Sequence, residues 1–147
     1  MQQKCINEAN GQRTYAVILE TGDEVMACLK SFVADQRIKT AQFSAIGALS
    51  DVVLMYFDWG KKKYQRIPVQ EQVEVASMIG DVAEGSEGTA SLHVHLVVGR
   101  RDGTAMAGHL AEAHARPTLE AIVTESPGYL RKVKDPQSGL ALIRPAA

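Results

Sequence analysis

Apolar positions change period early in the chain. Residues 14–19 are β-branched, aromatic and aliphatic and predict a strand, which Thr21-Gly22-Asp23 interrupts with turn and capping chemistry. Val25, Cys28, Leu29, Phe32 and Val33 then recur at helical spacing, so an amphipathic helix is expected with Asp23 as N-cap and Asp23 and Glu24 at its positive end. After Lys39 the pattern is that of strands. Residues 41–46 form one, Gly47 breaks it, and 51–58 form another whose middle, 52–57, is apolar on both faces and calls for two covers. A turn at Asp58-Trp59-Gly60 leads to a polar edge strand over 61–66, and a strand over 72–79 precedes a Gly- and Glu-rich loop at 81–88. Strands follow over 92–98, up to Gly108-His109, and over 118–124. Ser126-Pro127-Gly128 breaks the chain, residues 129–134 suggest one helical turn, and 139–143 a closing strand. Helix and strand alternate little, which favours an α+β fold: a mostly antiparallel, sandwich- or barrel-like β-sheet with one main amphipathic helix. Residues 1–12 read as an N-terminal tail and 13–147 as a single domain.

Composition narrows the picture without specialising it. Apolar residues make up 46% and charged residues 22%, the balance of an ordinary globular protein rather than a disordered or membrane-embedded one. The first ten residues lack the apolar segment of an export signal, so a cytoplasmic location is expected. Cys5 and Cys28 have neither metal nor redox spacing, and Cys28 lies on the apolar stripe of the helix as a reduced thiol. Sixteen basic residues against seventeen acidic ones provide no global field for a phosphate backbone. Nucleic-acid binding would have to come from a local patch, for which Lys61, Lys62, Lys63 and Arg66 are the candidates; the same run also reads as a solvated edge that protects a strand from aggregation.

Chemistry concentrates in Leu92-His93-Val94-His95-Leu96-Val97-Val98. On a strand, His93 and His95 share one face while Leu92, Val94, Leu96 and Val98 share the other. Alternate residues lie roughly 6.5 Å apart, from which two imidazoles can lean to place a nitrogen each at about 2.0 Å from a zinc-sized ion. Two ligands hold a metal weakly, and His109 is the natural third. If Asp102-Gly103 alone formed a two-residue hairpin, His109 would face Leu96 on the wrong side of the sheet. If Arg101-Asp102-Gly103 forms a three-residue loop with a left-handed Gly103, His109 lies opposite His95, and glycine in the third loop position favours this register. Gly108 is expected to leave space beside the ring. Three neutral nitrogens leave zinc a fourth position for water, as catalytic sites do. His114 reads as a loop residue or a neighbour of the site. Glu112 is the acidic group that local sequence places for proton transfer, with Glu120 and Glu125 as further carboxylates and Arg100 and Arg101 flanking the turn.

The ordered series Gly47-Ala48-Leu49-Ser50, Tyr56-Phe57-Asp58, Leu92-His93-Val94-His95, Asp102-Gly103, Gly108-His109-Leu110 and Thr118-Leu119-Glu120 resembles the plant and prokaryote conserved (PPC) domain family, over about 13–125. The resemblance implies a compact α+β domain that assembles as a homotrimer, with zinc held by histidines matching His93, His95 and His109. Plant members join the domain to AT-hooks with an Arg-Gly-Arg-Pro core, which this sequence lacks. It also has Ala107-Gly108 where many members carry two glycines, a methyl that would reshape the site. Two functions are expected: a homotrimeric module binding zinc or another divalent transition metal, with a regulatory or DNA- or protein-binding role; or a small zinc-dependent hydrolase or lyase that takes a small-molecule ligand at the metal and uses Glu112 as proton shuttle.

Overall fold

The computed structural model describes residues 1–85, 88–126 and 130–144. Its elements run β1 (Gln2–Ala9), β2 (Gln12–Glu20), α1 (Val25–Asp35), β3 (Ala41–Asp58), β4 (Lys63–Val69), β5 (Val73–Glu84), β6 (Ala90–Gly99), β7 (Ala105–Glu125), β8 (Arg131–Lys134) and β9 (Ala141–Arg144). Among the described residues every strand pairing is antiparallel except the single parallel rung Glu84–Arg131 between β5 and β8.

Two long strands organise the sheet. The first half of β3 pairs with β5 and with the second half of β7, while its second half pairs with β4 and with the first half of β7. β6 bridges β5 to the first half of β7, so the hydrogen-bonded path leads from β3 through β5, β6 and β7 back to β3. Gly47, expected to end a strand, instead sits inside β3 at φ +144 beside a bulge, where an added Cβ would lie 2.3 Å from the Thr118 carbonyl oxygen. The chain bends there and stays paired, which only glycine allows.

The helix closes the core. Val25, Leu29, Phe32 and Val33 are buried, and α1 packs on β6 and β7, whose inward residues include Val94, Leu96, Val98 and Leu110. Its N-cap is Glu24, one residue later than expected: the Glu24 side chain accepts from the Ala27 amide, while Asp23 accepts from the Glu20 amide and pairs with the amino terminus. The inward residues of a strand alternate with outward ones, so the apolar face of β6 fixes where its histidines point.

Other expectations change too. The stretch read as a tail carries β1, whose residues are exposed and pair with β2. Asp81 to Glu84 extend β5 rather than opening a loop, because Gly80 is a packing glycine whose added Cβ would lie 2.3 Å from the Phe43 ring. Arg131–Lys134 is a strand, not a helical turn, since it pairs with β9; Tyr129 lies outside the described residues. In the doubly apolar run Val52 and Leu54 are buried, whereas Tyr56 is 62% exposed. The edge strand starts at Lys63, after Lys62 takes a left-handed turn position at φ 52.

Candidate metal centre

β6 and β7 are joined by the three-residue loop. The Arg100 amide donates to the Thr104 carbonyl at 2.8 Å, the Gly103 amide to the Arg100 carbonyl at 2.9 Å, and Gly103 is left-handed at φ 81. Asp102 braces the turn by accepting from the Thr104 amide and hydroxyl. Counting back from this turn puts His95 directly opposite His109. Gly108 serves a different purpose from the one expected: an added Cβ would lie 2.8 Å from the Met55 carbonyl oxygen, so this glycine lets β7 press against β3. Ala107 pairs with Val97 on the outward face.

The three rings meet. Ring centroids lie 3.9 Å apart for His95 and His109, 4.9 Å for His93 and His95, and 5.0 Å for His93 and His109. The Nε2 atoms of His93 and His95 are 3.1 Å apart, and one nitrogen from each of the three rings lies within 4.8 Å of the others. Nitrogens bound tetrahedrally to one zinc at about 2.0 Å would be roughly 3.3 Å apart, so the donor set fits such an ion with small ring movements. Protonation favours it as well. Burial, followed by the neighbouring His93, lowers the pKa of His95; burial together with His95 and His93 pushes His109 down to about 4. Neutral imidazoles at physiological pH keep lone pairs free for a cation.

Three groups around the cluster have no local sequence signal. Asp81, opposite His93 on β5, places Oδ2 3.3 Å from His93 Nδ1, and Lys132 on β8 places Nζ 2.9 Å from Asp81 Oδ1. Tyr64 on β4 sets its hydroxyl 3.3 Å from His109 Nε2 and its ring edge-on to the imidazole at 4.9 Å. Burial pushes the Tyr64 hydroxyl up, so it keeps its proton at neutral pH. These partners come from strands far away in sequence, and only pairing reveals them. An open cavity of about 640 Å³ adjoins His93 and His95, walled by Phe43, Ile79 and Ile122.

The other candidates lie elsewhere. Glu112 is exposed and held by Arg66 at 2.8 Å, Glu125 is clamped by Arg13 at 2.6 Å, and Glu120 accepts from Thr118. His114 is on strand β7 rather than in a loop, bonded to Asp51 at 2.9 Å. Arg100 pairs with Glu71, and Arg101 is exposed. In the basic run, Lys61 pairs with Asp58, Lys62 lies over the Trp59 ring, and Lys63 starts the edge strand.

A family model, the Plants and Prokaryotes Conserved (PCC) domain, matches residues 6–127. The chain belongs to this family. Among solved structures, a plant- and prokaryote-conserved (PPC) protein of Pyrococcus horikoshii is 30% identical, with a TM-score of 0.83 over 92% of this chain and 93% of that one. A metal-containing protein of Archaeoglobus fulgidus is 29% identical, with a TM-score of 0.82 over 89% of this PPC chain and 92% of its own. A protein of Bacteroides thetaiotaomicron described as a candidate for DNA binding is 25% identical, with a TM-score of 0.83 over 94% of both chains. No curated protein matches this PPC domain significantly.

Proposed function

We propose that this PPC domain is a zinc-binding, homotrimeric module of the cytoplasm that acts as a regulatory, DNA- or protein-binding unit. One observation carries the reading: His93, His95 and His109 converge on one side of the β6–β7 hairpin, each offering a ring nitrogen. Nitrogen donors suit zinc and neighbouring divalent transition metals, and the Archaeoglobus relative contains a metal. Assembly is supported by the outward face, where Ile79, Ser44 and Ile122 are cross-strand neighbours and Ile46, Ile79 and Ile122 are exposed. Exposed isoleucines in a row are costly unless covered by another subunit. The free thiols of Cys5 and Cys28 suit a reducing compartment, and no helix among the described residues is long and apolar enough to cross a membrane.

DNA contact is supported by the Bacteroides relative, while the basic side chains of this chain have other partners: Arg66 holds Glu112, Lys61 holds Asp58 and Lys62 covers Trp59. Metal analysis of purified protein together with its mass in solution tests the main reading. About one zinc per chain and a trimer mass are expected; a metal-free monomer after zinc loading overturns it.

Tyr64 favours a second reading, a small zinc-dependent hydrolase or lyase. A zinc held there by His93, His95 and His109 would supply Lewis acidity to a bound oxygen. The Tyr64 hydroxyl, 3.3 Å from His109 Nε2, would give a proton to a ligand oxygen bound at the cluster, a role that Glu112, tied to Arg66, does not fill. Metal-dependent turnover of esters, lactones or β-keto acids, absent from His95→Ala, would establish it; no turnover across the panel leaves the binding module.

A further inference from the structure

We infer that Lys132 and Asp81 form a positioning relay that fixes the orientation and tautomer of His93, with the lysine supplied by the β8–β9 hairpin that follows the residues matched by the family model. The inference rests on the metal-binding reading and adds to it the outer support of one ligand. The family model matches residues 6–127, and β8 and β9 follow that range. This hairpin is built to stay in place. Asp135 accepts from the Ser138 amide at 2.8 Å and hydroxyl at 2.7 Å and pairs with Arg144, and the Glu84 amide donates to the Leu130 carbonyl at 2.9 Å, tying β8 to the end of β5.

Docked in this way, the hairpin buries a lysine. Lys132 is 5% exposed, and a cation so removed from water is costly unless a counter-charge meets it. Its Nζ reaches the Ser91 carbonyl at 3.2 Å and Asp81 Oδ1 at 2.9 Å. Asp81 Oδ1 is itself buried and has no aligned hydrogen bond among the described residues, so the ammonium is the charge that compensates it. The other oxygen, Oδ2, faces His93 Nδ1 at 3.3 Å across the β5–β6 ladder. A carboxylate at Nδ1 selects the Nδ1–H tautomer and leaves the Nε2 lone pair for the cluster, where His95 Nε2 is 3.1 Å away. The line from ammonium to carboxylate to imidazole thus starts in one hairpin and ends at the convergence point of another.

A lysine that merely pinned the hairpin would leave the His93 tautomer alone, which separates the two roles. Long-range ¹H–¹⁵N correlation spectra of zinc-free protein, above the titration range of histidine, should show His93 protonated at Nδ1. Asp81→Asn should shift it toward the Nε2–H form and weaken zinc binding about 10–100-fold. Lys132→Met should do the same more weakly, and Lys132→Arg should restore wild-type behaviour. An unchanged tautomer in Asp81→Asn, or Lys132→Arg no better than Lys132→Met with β8 still docked, overturns the relay. Should Lys132→Met undock the hairpin, Asp81→Asn alone decides. The spectra need no metal, so a wild-type protein that fails to bind zinc refutes the proposed function while the relay is still judged on its tautomer.

Discussion

His109 and His114 are outward residues of one strand, yet they have opposite chemistry. His109 lies across the ladder from Met55 and among two other imidazoles, and burial with those neighbours pushes its pKa down to about 4. His114 lies across from Asp51 and shares a 2.9 Å hydrogen bond with it, which raises its pKa. Burial alone would raise the Asp51 carboxyl, but the hydrogen bonds from His114 and Ser50 outweigh it and hold the group below its usual range. One ring is kept neutral with a lone pair to offer; the other is poised to hold its proton in an ion pair. The residue type and the strand are shared, so the cross-strand neighbour decides which histidine suits a metal.

The largest expected effect breaks this contrast at its metal side. His95→Ala should weaken zinc binding by at least about 100-fold in competition with a chromophoric chelator, whereas His114→Ala should leave it within about two-fold. Equal losses from both would refute the division. A smaller effect is expected from Gly108→Ala. Beside His114, buried Ala113 and Ala115 show that β7 has room for methyl groups facing the core. At residue 108, on the N-terminal side of His109, it has none, because a Cβ there would lie 2.8 Å from the Met55 oxygen and 3.3 Å from the Leu54 Cβ. Prising the strands apart should cost about 1–3 kcal/mol in chemical denaturation and loosen zinc binding through His109. Unchanged stability would show that the ladder yields freely.

How much of this was legible beforehand follows from the range of each signal. The alternation from Leu92 to Val98 and the glycine at 103 are local, and together they sufficed for the face and register of the three histidines. Asp81, Lys132 and Tyr64 reach the cluster only through β5, β8 and β4, and no spacing along the chain encodes those pairings. Glycine misled in two ways. Gly47 looked like a strand end and residues 81–88 like a loop, but Gly47 and Gly80 both remove a Cβ where another part of the chain presses close, a property of tertiary packing. The helix was legible from its apolar period, and its cap was displaced by one residue because Asp23 is used by the preceding turn and the amino terminus.

The smallest expected effect sharpens the contrast through pH. In metal-stripped protein, His109 has a folded pKa of about 4 against an ordinary value of 6.5. Between those values the unfolded chain takes up a proton that the folded chain refuses, so stability falls as pH drops from about 6.5 toward 4. His114 runs the other way. Its folded pKa lies above the ordinary 6.5, so its contribution is complete below that pH and fades as pH rises through the folded value. With its side chain 45% exposed, solvent screening keeps that contribution to no more than about 1 kcal/mol. Urea midpoints at pH 7 and pH 5 should therefore fall on acidification in the stripped wild type, fall less in His109→Asn, and fall further in His114→Ala. A slope untouched by His109→Asn would mean that the ring is not held neutral by its neighbours, and the electrostatic difference between the two histidines would collapse even if zinc still bound.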